Sequence, residues 1–491
     1  MKKHQHQVAV PPQLQLAVQH HQAGRLAEAE AIYRKFPKHP DAIHLLGVIA
    51  YQSGNHTDAI QLIQKAIRLN PGNATFHCNL GLAYQALRQL EQAANAYRKA
   101  LSINKNYLDA QNNLGSALYE LGKWEEAIPC FRKVIELNPH YPEAYKNMGQ
   151  ALLDAGQLDE AIACSRKALE LRPDFVEAHL NLGVALMSQG KFDEAIACYQ
   201  NAIRLKPDYA EAFNNLGTAL KAQPQEAIAC FERALAIKPD YPHALNNLGA
   251  ALKEKPEKAL SYFKRAIELM PDYAEAINNC GNALKDLGRL DEALVYARKA
   301  LALSPELAEA HNSEGIILQL SGRPEEAAAS FQRAIALDPA YDDAFNSLGA
   351  TLLTQGKLDE AIASCRRALE LNPDLARAQS NLFFCLNYHP TLTAEEIYVA
   401  YREWNDQYAS RYRPATPPKP DSTPNRRLRI GYVSPDFRNH AVIHFAGPLL
   451  ERHDKSRFEV FCYYNHHLHD ACTDRVIAAA DHWVPCMAMS D

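Results

Sequence analysis

A row of asparagines recurs through this 491-residue sequence at one position of a repeated pattern. The members of this asparagine row are Asn79, Asn113, Asn147, Asn181, Asn215, Asn247 and Asn279, followed by Ser313, Ser347 and Asn381 at the next three positions. Asparagine is a poor helix former, so its recurrence in a helical pattern needs a reason. An amide side chain both donates and accepts hydrogen bonds, and a line of amides can hold the backbone of an extended polypeptide of any sequence. The alternative is that each asparagine bridges adjacent helices of the protein itself, and the residues alone leave both interpretations open.

Two histidines near the C-terminal end, His440 and His444, could handle protons. They are spaced to share one face at the start of a predicted helix, just after a predicted strand. A histidine that titrates near neutrality can accept a proton from an attacking hydroxyl or orient that hydroxyl. The alternative for both residues is a loop histidine that packs against the fold or caps a helix.

Two groups of potential metal ligands are also present. Cysteines recur at Cys130, Cys164, Cys198 and Cys230, and a histidine-rich turn runs from His466 to Asp470. The cysteines occur in successive repeats beside aromatic residues and lack the close spacing of a metal site, so we expect them to be small buried side chains. Histidine-rich turns are common on protein surfaces. We predict no metal at either group.

The elements that position these residues form a repeat. Glycine recurs every 34 residues, or every 32 residues in two places, and an alanine follows most of these glycines at a fixed interval. The glycines are Gly47, Gly81, Gly115, Gly149, Gly183, Gly217, Gly249, Gly281, Gly315 and Gly349. Apolar residues between them recur at helical intervals of three and four, and a proline closes most units. Each unit is therefore predicted to be a helix hairpin that buries its apolar face by stacking in a solenoid, with a concave and a convex wall.

The two 32-residue units have lost residues from the loop between their helices. Other units carry a longer loop, such as Leu287–Asp291, whereas these units carry Pro224 and Pro256. We predict tight proline turns at both places. They either change the local superhelical pitch or are neutral changes of loop length.

The repeat resembles the tetratricopeptide repeat (TPR) from about Val10 to Pro390, with about eleven repeats after a disordered tail at residues 1–9. The fold class expected for this part is an all-α TPR superhelix. Residues 391–413 are predicted to form a linking helix that starts with a capping box at Thr393 and Glu396. Residues 414–426 contain five prolines and are predicted to be a stiff linker.

From residue 427 to residue 491 the pattern changes to alternating strands and helices. The predicted elements are strands at Leu428–Val433, Phe458–Tyr464 and His482–Val484, and helices at Val442–Arg452 and Asp474–Ala480. This order is typical of the start of a parallel α/β sheet. Ligands of such sheets bind beyond the carboxyl ends of the strands, where the loop from Ser434 to His444 lies.

The segment RLRIGYVSPDFRNHAVIHF, followed by FEVFCYYN, resembles the opening of the catalytic region of protein O-GlcNAc transferases and their Spindly-like relatives. A long TPR array, a linking helix and this segment occur in the order found in that family. The resemblance implies a Rossmann-like lobe of a GT-B fold. It also implies an enzyme that transfers a sugar from a UDP-sugar, usually UDP-GlcNAc, to Ser or Thr of proteins, with no metal and no further cofactor.

The resemblance also implies roles for the candidate residues. The asparagine row would contact the protein or peptide substrate in the concave groove, which favours the peptide-holding interpretation. His440 would lie in the active site near the acceptor, and His444 would support it. Ala441, Val442 and Ile443 replace a more polar, proline-containing stretch of better-known members, and they put the local shape of the acceptor site in question.

Composition excludes several other classes of protein. The net charge is −5 and the pI is near 6.5, so no positive excess is available for nucleic acid. No apolar run is long enough to span a membrane, and His and Gln interrupt the N-terminal segment where a secretory signal needs an apolar core. We expect a cytoplasmic protein.

Two rivals to a GlcNAc transferase remain open in the sequence. One is a non-catalytic TPR scaffold that keeps a remnant of an enzyme, and the other is an O-fucosyltransferase of the Spindly type. The donor-binding lobe of the resembled family would follow residue 491, so this chain is expected to be a fragment record or a natural truncation. The choice of sugar would be decided in that lobe.

The 491 residues alone are therefore expected not to turn over UDP-GlcNAc. Catalysis requires the donor and the acceptor to be held together in one cleft, and one wall of that cleft would be absent. The measurement is UDP release by the purified chain, with a buffer blank as control. Release above the blank would contradict the expectation.

Overall fold

A computed structural model describes residues 11–220, 222–409, 426–466 and 468–486. The chain divides into two compact units, residues 1–392 and residues 393–491. The first unit is all-helical and the second contains a parallel sheet with helices, so the predicted fold class is confirmed. Among the described residues, no helix has the length and apolarity needed to cross a bilayer.

The first unit is a series of helix hairpins. The first helices of the hairpins are α1 (Pro12–Gln22), α3 (Pro40–Gln52), α5 (Ala74–Ala86), α7 (Leu108–Glu120), α9 (Pro142–Asp154), α11 (Val176–Ser188), α13 (Ala210–Ala219), α15 (Pro242–Ala251), α17 (Ala274–Asp286), α19 (Ala308–Leu320), α21 (Asp342–Thr354) and α23 (Ala376–Tyr388). The second helices are α2 (Leu26–Tyr33), α4 (His56–Leu69), α6 (Leu90–Ile103), α8 (Trp124–Leu137), α10 (Leu158–Leu171), α12 (Phe192–Leu205), α14 (Pro224–Ile237), α16 (Pro256–Leu269), α18 (Leu290–Leu303), α20 (Pro324–Leu337) and α22 (Leu358–Leu371).

At six of the ten repeated glycines, an aromatic ring of the second helix packs directly on the backbone of the first. A Cβ atom added at Gly217 would lie 2.7 Å from a ring carbon of Phe231, and one added at Gly115 would lie 2.6 Å from Phe131. Such a contact is too short for any side chain at these positions. The glycine therefore sets the distance between the two helices of a hairpin.

The first helices line the concave wall of the array. First helices of successive hairpins contact each other, as α9 does with α11 and α17 with α19, whereas the main contacts of the second helices are with first helices. In a curved stack, the elements on the inside of the curve are closer together. The asparagine row lies on these inner helices.

The two short repeats differ from the others in their first helix. Helices α13 and α15 have 10 residues each, whereas α7 and α17 have 13. Pro224 and Pro256 occupy the first turn of the second helix, where proline is well tolerated. The predicted proline turns are confirmed, and the first helix loses most of its last turn.

The second unit begins with helix α24 (Ala394–Trp404), followed by a π-helical turn at Asn405–Ala409. Thr393 and Glu396 form the predicted capping box. The predicted linking helix extended to residue 413, and its last part lies outside the described residues, as does most of the predicted linker at 414–426.

The sheet of the second unit has three parallel strands in the order β1 (Leu428–Ser434), β2 (Phe458–Tyr464) and β3 (His482–Pro485). Leu428 pairs with Phe458, and Phe461 pairs with His482. Helices α25 (Ala441–Glu451) and α26 (Ala471–Ala479) connect the strands and contact each other, so they cover the same face. Val460, Cys462 and Tyr464 form the core under these helices.

Candidate functional site

The asparagine row joins neighbouring repeats through its side-chain amides. In six places the Nδ2 group of a row residue donates a hydrogen bond to the first helix of the preceding repeat. The bonds are Asn79 to His44 Nε2 at 2.9 Å, Asn147 to Asn112 Oδ1 at 3.2 Å, Asn181 to the Lys146 carbonyl at 3.5 Å, Asn247 to Asn214 Oδ1 at 2.9 Å, Asn279 to Asn246 Oδ1 at 2.9 Å and Asn381 to Asn346 Oδ1 at 2.9 Å. The Nδ2 groups therefore bridge adjacent helices of the protein itself.

The acceptors of these six bonds lie one residue before the row position, and we call this line the acceptor row: His44, Asn112, Lys146, Asn214, Asn246 and Asn346, with Asn278 and Asn312 at equivalent positions that receive no such bond. Sequence reasoning missed this second line. The signal was present as consecutive asparagine pairs, such as Asn214-Asn215 and Asn246-Asn247. At its first position, burial lowers the pKa of His44 to about 4, which keeps the ring neutral and able to accept the amide hydrogen of Asn79.

Several carbonyl oxygens of the row remain open on the concave wall, whereas Asn215 Oδ1 accepts a hydrogen bond from Asn214 Nδ2 at 3.2 Å. Within the described residues, the Oδ1 atoms of Asn147, Asn247 and Asn279 accept no hydrogen bond, and none of them is a buried atom without a partner. Asn147 and Asn181 line a cavity of about 390 Å³, and Asn247 lines another of about 300 Å³. One amide can therefore join two repeats through a hydrogen bond from Nδ2, and its Oδ1 can still accept a hydrogen bond from a donor in the groove.

The line of hydrogen bonds between repeats is interrupted where serine replaces asparagine in the row. Ser313 Oγ instead accepts a hydrogen bond from Asn282 Nδ2 of the preceding first helix at 3.0 Å, and the Oδ1 atoms of Asn278 and Asn312 are buried without a partner. These two acceptor-row residues are 5% and 7% exposed. The row resumes at Asn381, which donates to Asn346. Two buried carbonyl groups thus mark the weakest part of the row.

The cavity at Asn147 carries charges of both signs. Glu120, Lys146, Glu177 and Glu211 are among the residues that line it. Burial lowers the pKa of the Lys146 ammonium, while the nearby carboxylates act in the opposite direction. The cavity can therefore hold a polar or charged group of a bound chain.

The repeated cysteines are structural. Cys130 and Cys198 are buried, and Cys164 and Cys230 are half-buried. Burial raises the pKa of the Cys164 and Cys198 thiols to about 11, so they remain protonated and are poor metal ligands. Among the described residues, no three histidine, cysteine or acidic side chains are grouped to hold a metal.

The loop from Ser434 to His440 leaves the carboxyl end of β1. Contacts of Phe437 and Asn439 hold it in place. Phe437 is buried in the core against Tyr464 and Trp483. The Asn439 amide donates to Asp470 Oδ2 at 2.7 Å, and Asp470 also caps helix α26. This backbone hydrogen bond is the largest cause that holds the pKa of Asp470 below its usual value. The loop is therefore tied to the carboxyl ends of β1 and β2 together.

His440 is the N-cap of helix α25, not a residue inside it. Its Nδ1 accepts the Val442 amide hydrogen at 3.3 Å and lies 3.7 Å from Asp436 Oδ2. These two partners favour different tautomers, because Nδ1 cannot accept from Val442 and donate to Asp436 at once. When Nδ1–H faces Asp436, Nε2 is left free to accept a proton. His444 lies one turn later with an exposed side chain.

The histidine-rich turn uses its side chains locally. His466 accepts the Leu468 amide hydrogen at 3.0 Å, and His469 pairs with Asp474 at 2.7 Å. The second histidine of the turn, residue 467, lies outside the described residues. Asp470 ends the turn as the cap of α26, so the helix begins at Ala471, three residues before its predicted start.

Comparison with known protein families identifies both units. Residues 47–88, 115–154, 149–190 and 183–223 match the TPR repeat, and further tetratricopeptide matches cover residues 10–35, 74–107, 210–241, 240–306 and 312–376. Residues 409–490 match Glycosyl transferase family 41. The chain is thus a tetratricopeptide-repeat protein with a glycosyltransferase segment.

Named relatives specify the family further. A probable UDP-N-acetylglucosamine–peptide N-acetylglucosaminyltransferase, SPINDLY, from Solanum lycopersicum is 33% identical over 102 residues, 21% of this chain and 11% of the relative. The UDP-N-acetylglucosamine–peptide N-acetylglucosaminyltransferase of Caenorhabditis elegans is 58% identical over 38 residues, 8% of this chain and 3% of the relative. A solved O-GlcNAc transferase mutant from Thermobaculum terrenum is 34% identical, covers 44% of this chain and 42% of that one, and has a TM-score of 0.37.

The chain therefore carries a TPR array and a segment that matches Glycosyl transferase family 41, and it is similar to the O-GlcNAc transferases and Spindly proteins that the sequence resembles. Its matches span 11% or less of the length of these two curated relatives.

Replacing Ser347 by asparagine is expected to stabilise the array. The new Nδ2 group would donate to the unpaired Oδ1 of Asn312, as Asn381 does to Asn346 in the next repeat. Satisfying a buried acceptor contributes about 1 kcal/mol. The measurement is the urea midpoint of unfolding, with Ser347→Ala as the matched variant that brings no donor. Equal midpoints for the two variants would show that the buried carbonyl does not need this donor.

Proposed function

We propose that the full-length protein transfers GlcNAc from UDP-GlcNAc to Ser or Thr hydroxyls of proteins that bind in the concave groove of the array. The observation that carries this proposal is the family 41 match at residues 409–490, directly after the TPR array. The names of the relatives favour GlcNAc over fucose as the sugar.

Substrate recruitment by the array is supported by the geometry of the asparagine row. A bound polypeptide in extended form presents backbone N–H groups along its length, and the open Oδ1 atoms of Asn147, Asn247 and Asn279 are matching acceptors. Contacts to the backbone of a bound polypeptide do not depend on the side chains of that polypeptide. The row would therefore hold many different substrates, and the cavities beside it would select among them.

The proposed catalytic role of His440 rests on its place in the second unit. It caps α25 beyond the carboxyl end of β1, where ligands of parallel α/β sheets bind. An attacking hydroxyl loses its proton as the bond to the sugar forms. Nε2 of His440 would accept or orient that proton, with Asp436 holding Nδ1–H. His444 would support the start of the helix.

The proposed activity is tested with the full-length gene product and a host protein extract. Incubation with UDP-GlcNAc should add N-acetylhexosamine to Ser or Thr residues, detected by mass spectrometry, and incubation with GDP-fucose should add nothing. A protein that lacks residues 1–392 should modify far fewer proteins. Modification only with GDP-fucose, or with neither donor, would contradict the proposal, and the latter result would favour a scaffold.

His440→Ala in the full-length protein is expected to lower turnover on protein substrates about a hundredfold or more, the usual scale for one acid–base group. Donor affinity should change little, because the proposed role concerns the acceptor. His444→Ala is the matched control, and because this side chain is exposed in the helix, turnover and the melting temperature should both change little. Near-normal turnover in a His440→Ala protein that its melting curve shows to be folded would remove this residue from the mechanism.

Variants of two row residues distinguish the contribution of the asparagine row to peptide binding from its contribution to stability. The Asn113 amide is paired with the Cys78 thiol, a weak partner, so Asn113→Ala should leave stability nearly unchanged and weaken peptide binding several-fold. Asn247→Ala should weaken binding similarly but also cost about 1 to 2 kcal/mol of stability, because Asn214 Oδ1 loses its donor. The measurements are urea unfolding and titration of a bound peptide. Unchanged binding in both variants would leave the row a purely structural feature.

A further inference from the structure

The two short repeats enclose a cavity that differs from the rest of the groove. It has a volume of about 300 Å³ and lies between the hairpin of α13 and α14 and the first helix of the next repeat, α15. Its walls include Phe231, Thr218 and Ala250, with Asn247 of the asparagine row beside them and Lys253 at one side. The cavity therefore opens next to the proposed path of a bound polypeptide.

The cavity exists because the first helix of the short repeat ends early. In an ordinary repeat, the last turn of the first helix and the loop that follows it cover the second helix. Helix α13 stops at Ala219, so this cover is reduced. Ala227 is accordingly 5% exposed, whereas its counterparts Ala127 and Ala195 are 0% exposed. The loss of residues in these repeats thus has a structural consequence on the concave wall.

The lining of this cavity is apolar apart from a few groups. Glycine, alanine, proline and phenylalanine provide most of the surface, and no carboxylate is among the lining residues. Lys253 is exposed and forms no ion pair with any residue that the structure describes. The cavity at Asn147 is the opposite case, since three glutamates line it together with Lys146. The two cavities would prefer different side chains.

We propose that the cavity of the short repeats is a selective pocket for one apolar side chain of a bound substrate protein, next to an acidic residue that pairs with Lys253. A volume of about 300 Å³ accommodates a leucine, methionine or phenylalanine side chain. The ammonium group of Lys253 supplies the charge complementarity for the acidic neighbour. This inference rests on the proposed binding of polypeptides in the groove and adds a sequence preference to it.

The test starts with a random peptide library selected on the purified chain. Selected peptides should share an apolar residue beside Asp or Glu. Ala250→Phe fills the cavity from an exposed helix position and should weaken binding of a selected peptide about tenfold or more, the effect of losing the burial of one apolar side chain. Ala350→Phe places the same change at the equivalent position of an ordinary repeat and should have little effect. Melting temperatures of both variants establish that they are folded.

Two further comparisons test which residue of the peptide occupies the pocket and which residue pairs with Lys253. Replacing the apolar residue of the peptide by alanine should weaken binding to the native chain but not to Ala250→Phe, because the pocket is already filled. Lys253→Glu should reverse the preference for the neighbouring residue from acidic to basic. Equal binding to the native chain and to Ala250→Phe would overturn the pocket, while peptides that still bind would leave the proposed function intact. Failure to select any peptide would contradict both.

Discussion

Hydrogen bonds from the asparagine row to the preceding first helix, at six places in the array, are the directional contacts that join its repeats and shape its groove. Each TPR hairpin buries its apolar face only against its neighbours, and burial alone is not directional. An amide-to-amide bond, such as that from Asn247 to Asn214, fixes the register of adjacent first helices. The same bond turns the remaining carbonyl oxygen towards the groove. Stability and recognition are therefore two uses of one side chain.

The glycine contacts fix the distance between the two helices of a hairpin, whereas the short repeats differ in the length of their first helices. The rings of Phe131 and Phe231 lie directly on Gly115 and Gly217, so the helix pairs cannot move apart without losing this packing. The two short repeats differ from the others at the ends of their first helices instead, since α13 and α15 lose most of a turn. A change of loop length thus alters the inner wall while the core of each hairpin is preserved.

Much of the fold could be predicted from the sequence because both units follow strict periodicities. The spacing of glycine and alanine defined the hairpins, and alternating strand and helix patterns defined the start of the parallel sheet. The acceptor row was missed because Asn214 and Asn246 gain their role only from a residue 33 positions later. The cap of α26 at Asp470 was missed because helix periodicity does not fix the residue at which a helix begins, and the helix was predicted to start at Asp474. The cap role of His440 likewise depends on where α25 begins, which helix periodicity does not fix.

The most direct test of this account is a double-mutant cycle on Asn214 and Asn247. The free energy of unfolding is measured for the native chain, for Asn214→Ala, for Asn247→Ala and for the double variant. If the amide bond joins the repeats, the double variant loses less stability than the sum of the single losses, with a coupling of about 0.5 to 1.5 kcal/mol. A coupling of zero would contradict the account, because the two side chains would then contribute independently.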